Sequence, residues 1–352
     1  MRMRTLLLAA SAALALALPL AAQEAAKPAA LAPSEIVAAA PKSDWVAIPA
    51  EDLLVMTLAP DAEGKPRQVV IQLMPAPFSQ GWVHNIRLFA RAKWYDGISV
   101  NRVQDNYVTQ WGDPNYDNPE ATGKPKPLPE GLKVMGEAEY SARVEHTMLV
   151  GGNRYDPNPD GHDPEVSHLT RGDRYAPATG FVSGWPVGAN LDRGKFSNRD
   201  LRRDPQLEIK SVWPTHCYGM VGVGRNYSPD TGSGAELYTV IGHAPRHLDR
   251  NIALVGRVIE GMEHLSSLPR GSGALGFYTA EEASKRTAIT SVRVVNDLPT
   301  NEQPRFEYLS TESATFAAYA EAIANRRDPF FITPAGGADI CNIRVPVRRA
   351  AE

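Results

Sequence analysis

The feature that most constrains the fold of this chain is a series of short apolar runs, rich in β-branched residues and separated by turn residues. The runs LLVMTLA and RQVVIQL flank the turn segment DAEGKP, which predicts two strands joined as a hairpin. The runs CYGMVGVG, ELYTVIG and ITSVRVV predict later strands, and residues 98–111 are predicted to form one more. The chain also contains 29 prolines and 28 glycines, which favour turns and long loops over a helical bundle. The sequence therefore predicts a mainly β fold.

Helical periodicity is present in three segments. Apolar residues recur at helical spacing after Ser79, a candidate N-cap, and the pattern stops at the turn YDG. The segment IALVGRVIEGMEHLSSL is predicted to run from a strand into a short helix, and another helix is predicted around Thr311 to Asn325. The final run CNIRVPV is predicted as an edge strand, because proline cannot donate a hydrogen bond within a sheet. The predicted elements are therefore mostly strands, with three helices.

The amino terminus has the pattern of a secretory signal. MRMR precedes the apolar run TLLLAASAALALALPLAA, which predicts a signal peptide over residues 1–22 with cleavage after Ala22. The alternative is a membrane anchor, but the run is shorter than the roughly 20 residues of a spanning helix. Residues 23–43 are rich in Ala and Pro, have no clear period, and are predicted to be a flexible leader. We therefore expect a periplasmic protein without stable membrane insertion after cleavage.

The rest of the chain is predicted to contain one large domain and an extension. The domain covers residues 44–298 and carries a long insertion at about residues 114–215, and residues 299–352 form a C-terminal extension with one helix. Unstructured loops of that length are uncommon inside compact domains, so the insertion is predicted to contain a few strands. Both cysteines, Cys217 and Cys341, enter an oxidising compartment if the chain is exported. Their spacing leaves open whether they form a disulfide or remain two buried thiols.

Charge and motif content argue against several classes of function. The formal net charge is -3 and there is no long basic block, so nucleic-acid binding is not expected. The eight histidines form no H-E-x-x-H motif and no Cys/His spacing suited to zinc, so no metal site is expected. G-x-S-x-G is absent, and GVGRN lacks the third glycine of a dinucleotide site. Any catalysis is therefore expected to need no cofactor and to depend on shape and hydrogen bonding.

Two segments resemble the cyclophilin family of peptidyl-prolyl cis/trans isomerases. The segment FSQGWVHNIRLFARAKWYDGISVNRVQDNYVTQWGDP is similar to the family's helix, YDG turn, Arg-Val pair and aromatic-x-x-Gln-x-Gly-Asp strand. The segment CYGMVGVGRNYSPDTGSGAELYTVIGHAPRHLDRNIALVGRVIEG is similar to the family's later half, in the same order along the chain. The resemblance implies a closed eight-stranded antiparallel barrel capped by two helices. The long insertion and the C-terminal extension are additions to that barrel.

The resemblance also implies a site for proline-containing peptides. Arg102 stands where the family's arginine donates a hydrogen bond towards the prolyl nitrogen as the amide twists. Amide rotation costs about 18–20 kcal/mol because resonance is lost, and a donor at the pyramidalising nitrogen favours the twisted state over the planar one. Tyr107 matches the aromatic floor of the proline pocket, and Tyr238 takes the place of a pocket Phe. The implied substrate-binding residues are Tyr107, Val108, Gln110, Val221, Gly222, Glu236, Tyr238 and Leu248.

Three positions depart from the family's pattern. Glu236 replaces a second Gln, and an ionised carboxylate only accepts hydrogen bonds, whereas an amide also donates. His247 stands where many members have Trp, and Ile252 where many have His. The leading hypothesis is an isomerase that acts on proline-containing segments of unfolded or extended exported proteins. The alternatives are a catalytically weak or inactive peptide-binding or chaperone module of the same fold, and a structural envelope protein tethered by an uncleaved amino terminus.

Overall fold

The computed structural model describes residues 30–116, 121–143, 173–191 and 209–350. The predicted signal peptide, the first part of the leader and much of the insertion lie outside the described residues. Within the described ranges the helices are α1 Pro33–Ala38, α2 Gln80–Arg91, α3 Glu263–Ser266 and α4 Ala314–Ala324. The strands of these ranges are β1 Trp45–Ala47, β2 Leu53–Leu58, β3 Arg67–Leu73, β4 Ser99–Val103, β5 Val108–Gly112, β6 Ala178–Val182, β7 Trp185–Leu191, β8 Ile209–Pro214, β9 Met220–Val223, β10 Leu237–Val240, β11 Leu254–Glu260, β12 Ile289–Val294, β13 Phe306–Leu309 and β14 Val347–Arg349. None of the described helices is long and apolar enough to span a bilayer.

Eight strands form an antiparallel barrel in the order β12-β2-β3-β11-β9-β10-β5-β4. The two outermost strands meet where Ser99 of β4 forms a bridge with Ala288, the residue before β12. At the same seam the amide of Ile289 donates to the carbonyl of Ile98 at 2.8 Å. The predicted mainly β fold and eight-stranded barrel are therefore confirmed, and β2 and β3 form the hairpin predicted from their two apolar runs.

Helices α2 and α3 pack apolar side chains into the barrel core. Helix α2 begins after Ser79, as the sequence predicts, but Ser79 has a left-handed backbone with φ of 54° and its side chain caps no amide. One face of α2 buries Trp82, Ile86 and Phe89 in the core, because residues three and four positions apart lie on the same helix face. Helix α3 is a single turn whose Leu265 is fully buried in the same core. Both helices therefore shield the barrel interior from water.

The prediction of one strand over residues 98–111 is wrong, because the chain reverses within this stretch. Strands β4 and β5 pair as an antiparallel hairpin in which Arg102 lies opposite Gln110. The reversal includes Asn106, whose φ of 50° lies in the left-handed region that asparagine tolerates better than most residues. The polar tripeptide QDN is the sequence signal for this turn. The hairpin places Arg102 and Gln110 side by side on neighbouring strands.

Two smaller sheets are built from the insertion and from the terminal segments. In the insertion β6, β7 and β8 form an antiparallel sheet in that order. In the second sheet β13 pairs with β1 on one side and with β14 on the other. The residues just before the barrel therefore pair with the C-terminal extension. The division of the chain into a domain over residues 44–298 and an extension over residues 299–352 stays a prediction.

Helix α1 lies in the segment that is predicted to be a flexible leader. Pro33 begins this helix at a position where the missing N–H has no partner to lose, and Glu35 Oε2 accepts from the amide of Ala32 at 2.7 Å. Helix α1 packs against α4, and its Ile36 joins the apolar cluster that contains Phe316. No local pattern predicts this helix, because a helix of six residues is stable only when tertiary packing supports it.

The C-terminal helix and edge strand are present with shifted bounds. Helix α4 begins after Ser313, whose Oγ accepts from the amide of Phe316 at 3.0 Å. The edge strand predicted over CNIRVPV begins only at Val347, because residues 340–342 form a single 3₁₀ turn and Pro346 has no amide hydrogen. The edge position is as expected, since β14 pairs with β13 alone in its sheet.

A disulfide and a ring contact join the parts of the chain. Cys217, between the insertion sheet and β9, is bonded to Cys341 of the extension, with Sγ atoms 2.04 Å apart and Cα atoms 5.0 Å apart. Of the two arrangements that the sequence leaves open, the structure has the disulfide. Phe181 of β6 packs edge-on against Phe316 of α4 at a centroid distance of 5.0 Å. The insertion, the barrel and the extension therefore contact one another in one structure.

Candidate active site

Four of the residues expected to form a site lie in one row across adjacent barrel strands. Arg102 of β4 is opposite Gln110 of β5, which is opposite Tyr238 of β10. Tyr238 is in turn opposite Gly222 of β9. Residues directly opposite each other on neighbouring strands project from the same face of a sheet. The side chains of Arg102, Gln110 and Tyr238 therefore share one face of the barrel wall.

This row lies on the outer face of the barrel. The next residue along each strand, Val103, Trp111 or Leu237, belongs to the barrel core. Successive side chains in a strand point to opposite faces, so the row itself faces outwards. Val221, which the resemblance makes a substrate contact, also has its side chain in the barrel core. Only its backbone can therefore contact a ligand bound at the row.

Arg102 is held by three hydrogen bonds. Its Nε donates to the carbonyl of Leu275 at 2.6 Å, and its Nη1 donates to Gln110 Oε1 at 3.1 Å. Its Nη2 donates to Gln104 Oε1 at 2.5 Å. A guanidinium has five N–H donors in a fixed fork, so each terminal nitrogen keeps one further N–H. Arg102 is thus fixed in place while two donors remain for a ligand.

Two aromatic rings flank the Arg102 guanidinium. Its Cζ lies 5.5 Å from the ring centroid of Tyr107 and 5.5 Å from that of Phe277. Burial lowers the pKa of Arg102, whereas Tyr107, Glu236 and Tyr238 favour its charged form. Burial raises the pKa of the Tyr107 hydroxyl, and the nearby Arg102 opposes that shift. Because arginine has so high an intrinsic pKa, Arg102 remains a cation at neutral pH and presents a partly desolvated positive charge.

A carboxylate orients the glutamine beside Arg102. Gln110 Nε2 donates to Glu236 Oε2 at 2.6 Å, so the Gln110 amide oxygen faces Arg102. Glu236 is buried, with 5% of its surface exposed. Glycines make room for it, since a Cβ at Gly112 would lie 2.9 Å from Glu236 Cγ and one at Gly224 would lie 2.9 Å from Glu236 Cβ. The departure at position 236 therefore produces a chain of hydrogen bonds from Arg102 through Gln110 to a buried carboxylate.

We expect Glu236→Gln to raise kcat/KM for X-Pro isomerisation about fivefold. The Glu236 carboxylate attracts the Arg102 guanidinium and so competes with the prolyl nitrogen for it. Removing this one negative charge changes the interaction of Arg102 with the substrate by about 1 kcal/mol, which corresponds to about fivefold in rate. Glutamine keeps an oxygen that accepts from Gln110 Nε2. Glu236→Ala is the matched control, because it leaves Gln110 Nε2 without that acceptor and is expected to lower activity. Steady-state kinetics on one peptide decide the matter: equal losses in both variants would contradict this role for the charge.

An apolar cluster lies next to the row and is separate from the barrel core. Its buried members are Val108, Tyr238 and Val240, and its partly buried members are Tyr107 and Ile252. Val108 lies opposite Val240 across β5 and β10. Ile252 replaces the His of many family members and extends the apolar surface of the cluster. This cluster can form the wall and floor of a pocket for an apolar ring.

Gly222 and Leu248 border this apolar cluster in different ways. A Cβ at Gly222 would lie 2.3 Å from Tyr238 Cζ and Oη, so only glycine leaves room for the Tyr238 phenol. Leu248 ends a 3₁₀ turn at residues 246–248, its side chain is half-buried, and its carbonyl accepts from the amide of Ile252 at 3.2 Å. The structure therefore brings the expected residues to one region of the outer wall, except for the side chain of Val221.

Sequence reasoning missed several residues that shape this region. Phe277, Leu275 and Gln104 contact Arg102, and His216 contacts Tyr238. Only Gln104 had a local signal, because it is two residues from Arg102 and directly follows β4. Phe277 reaches the site through a long-range bridge to Arg102. Within the described part of the chain, no group of His, Cys, Asp and Glu is arranged to hold a metal ion.

The fold and the site define a class: an eight-stranded antiparallel barrel with an arginine–glutamine pair beside an apolar cluster on its outer wall. A family model described as "Cyclophilin type peptidyl-prolyl cis-trans isomerase/CLD" matches residues 68–294, more than half of the chain. The chain belongs to this family. No curated protein matches it significantly.

One solved structure agrees with the fold. A cyclophilin from Hirschia baltica, AquaCyp293, superposes with a TM-score of 0.59 and 20% sequence identity, covering 87% of this chain and 93% of that one. The high coverage of both chains means that the likeness extends beyond the barrel. A cyclophilin-type peptidyl-prolyl cis-trans isomerase from Cryptosporidium parvum, crystallised in the presence of the dipeptide Ala-Pro, also matches. Its TM-score is 0.33 and its identity 8%, over 68% of this chain and 98% of that one.

Proposed function

We propose that this protein is a peptidyl-prolyl cis/trans isomerase that binds a proline-containing segment on the outer barrel wall. The observation that carries the proposal is the placement of Arg102 beside Tyr107 and the apolar cluster, with its fork fixed and two N–H donors unused. Membership of the cyclophilin family supports the reaction class. The residues of this chain are sufficient for the chemistry, since no bond is made or broken.

In the proposed mechanism Arg102 stabilises the twisted amide. Planar X-Pro amides resist rotation by about 18–20 kcal/mol because the nitrogen lone pair is delocalised into the carbonyl. On twisting, the lone pair returns to nitrogen, which becomes a hydrogen-bond acceptor for an Arg102 N–H. That bond exists in the transition state and not in the planar ground state, so it accelerates the reaction instead of merely tightening binding. Gln110 holds the guanidinium in register through its amide oxygen.

The apolar cluster is proposed to bind the proline ring. Its buried part is formed by Val108, Tyr238 and Val240, while Tyr107, Ile252 and Leu248 are partly exposed at its border. Burial of the ring against these side chains contributes about 25 cal/mol per Å² of apolar surface removed from water. The backbone near Val221 and Gly222 is proposed to contact the peptide chain. The substrates are then proline-containing segments in unfolded or extended chains, in which the proline ring is exposed and can contact this surface.

The test is exchange spectroscopy on a short X-Pro peptide by nuclear magnetic resonance. Uncatalysed exchange takes about 10–100 s, so catalysis by a small fraction of protein appears as new exchange cross-peaks on the time scale of seconds. We expect such exchange with the wild type. Peptide binding without faster exchange would instead support the catalytically weak or inactive peptide-binding module, which the carboxylate at Glu236 favours. No binding and no exchange, across several residues before proline, would contradict both functions.

We further propose that the protein works in the periplasm on exported chains. The support is the signal-like sequence of residues 1–22 and the disulfide between Cys217 and Cys341, which suits an oxidising compartment. Fractionation followed by amino-terminal sequencing tests this. We expect mature protein that begins at Gln23 in the soluble periplasmic fraction. An uncleaved chain in the membrane fraction would favour a tethered envelope protein.

A further inference from the structure

A buried histidine holds the hydroxyl of Tyr238. His216 is 0% exposed, and its Nε2 lies 2.8 Å from Tyr238 Oη. The two rings are nearly parallel, with an interplanar angle of 10° and centroids 6.3 Å apart. The phenol reaches His216 across Gly222, where any Cβ would collide with the phenol Oη at 2.3 Å. The hydroxyl end of Tyr238 is therefore tied to a site that solvent does not reach.

His216 is itself fixed by a buried carboxylate. Asp249 Oδ1 lies 2.9 Å from His216 Nδ1 and also accepts from the His216 backbone amide at 2.8 Å. Asp249 Oδ2 accepts from Arg246 Nε at 2.6 Å, and Arg246 Nη1 donates to Asp173 Oδ2 at 2.9 Å. All of these side chains are at most 7% exposed. The imidazole therefore cannot turn without breaking hydrogen bonds that have no water to replace them.

The partners of the ring set the direction of each hydrogen bond. A carboxylate accepts, so Nδ1 carries the proton, and Nε2 of the neutral ring accepts from the Tyr238 O–H. Burial lowers the pKa of His216; Asp249 opposes this shift, whereas His247 and Arg246 add to it. Burial raises the pKa of Tyr238 well above its ordinary value, so the hydroxyl keeps its proton. Burial of both side chains therefore favours a neutral His216 that accepts from the protonated Tyr238 hydroxyl.

A hydroxyl in the floor of an apolar pocket needs a partner. Without one it is satisfied by water, and a proline ring bound on the floor displaces that water and leaves the hydroxyl unpaired. The family resemblance implies a phenylalanine at this place, which has no such requirement. A tyrosine can serve as an equivalent apolar floor only if its hydroxyl is satisfied inside the protein.

We propose that His216 is a positioning residue for the proline pocket: it holds the Tyr238 hydroxyl in the interior so that the tyrosine ring presents an apolar floor to the substrate. This rests on the proposed function, because the pocket is the one assigned to proline there. His216 and Tyr238 then form a matched pair, and neither alone is equivalent to the phenylalanine of the family.

A double-mutant cycle with His216→Phe and Tyr238→Phe tests the pairing. His216→Phe removes the acceptor, so the Tyr238 hydroxyl loses its partner inside the protein. We expect KM for an X-Pro peptide to rise about tenfold with kcat unchanged, because the loss affects ground state and transition state equally. Adding Tyr238→Phe removes the hydroxyl and is expected to restore KM to within about twofold of the wild type.

A double variant whose KM is raised as much as that of His216→Phe, or more, would overturn the pairing. A histidine with only a structural role gives a loss that Tyr238→Phe does not cancel. If His216→Phe does not fold, His216→Gln decides: its amide can donate to Asp249 and accept from Tyr238, and we expect wild-type KM. A raised KM in the folded glutamine variant would also count against the pairing.

Two further measurements keep the inference separate from the proposed function. Nitrogen-15 spectra of the wild type at pH 6.5 should show His216 neutral with its proton on Nδ1; a proton on Nε2 would overturn the assignment. If the wild type binds X-Pro peptides without catalysing their exchange, the isomerase proposal fails, and the same cycle is measured as peptide Kd with the same expected pattern. If it neither binds nor catalyses, both the function and the pocket role of His216 are wrong.

Discussion

An Arg102→Ala variant is expected to lose about 100- to 1000-fold of kcat/KM for X-Pro isomerisation, the range seen when one donor to a transition state is removed. The loss should appear in kcat, because the bond from Arg102 to the prolyl nitrogen forms only as the amide twists. Peptide Kd should change little, since the apolar cluster is intact. Exchange spectroscopy gives the rate and a titration on the same peptide gives Kd.

Two further substitutions sharpen this experiment. Arg102→Lys keeps the positive charge but loses the fork that contacts Leu275, Gln110 and Gln104 together, so we expect it to retain less than about a tenth of the activity. Arg270→Ala is the matched control, because Arg270 is a surface arginine on the loop after α3 that pairs with Asp105 at 3.0 Å. Its activity should equal that of the wild type. A fully active Arg102→Ala variant would remove Arg102 from the mechanism.

Removal of the disulfide is expected to have the largest effect on stability. Cys217 and Cys341 are separated by 124 residues, and a crosslink over so long a loop restricts the unfolded chain strongly. The double variant Cys217→Ser with Cys341→Ser should lower the free energy of unfolding by about 2–5 kcal/mol. Guanidinium unfolding monitored by fluorescence measures this, with the midpoint and slope fitted together.

The reduced wild type is the control for the serine variants. Under strong reductant it should unfold at the same guanidinium concentration as the double serine variant, because both lack the crosslink. Equal stability of the oxidised wild type and the serine variant would contradict a stabilising disulfide. A further readout concerns the site. Because Cys217 directly follows His216, loss of the crosslink should raise KM for the X-Pro peptide under conditions in which the protein is still folded. Tyr238→Phe should abolish that rise in KM.

Local patterns in the sequence were sufficient for most of the barrel. Short β-branched runs predict β2, β3 and the strands β9 to β12, because the apolar residues of a strand are recognisable in its own local sequence. Helix α2 follows from apolar residues at helical spacing, and only its cap at Ser79 differs. The hairpin of β4 and β5 was read as one strand because its turn, at Asn106, is short and lies between apolar runs.

The site was predictable only in part. Arg102, Gln110 and Tyr238 could be named from motif resemblance, but their arrangement in one row depends on strand register, which pairs residues far apart in the chain. The helix at Pro33–Ala38 is stable because it packs on α4 from the other end of the sequence, so no local period indicates it.

The sequence by itself determined most of the barrel strands, because these depend on residue type and local spacing, and its resemblance to the cyclophilins indicated the arginine and the apolar character of the pocket. Only the tertiary structure decided what surrounds them: the carbonyl of Leu275 and the ring of Phe277 at Arg102, and the imidazole of His216 at Tyr238. The reason is physical. Hydrogen bonds between loops that are distant in the chain depend on how the whole barrel folds, and no period or motif in the sequence records them.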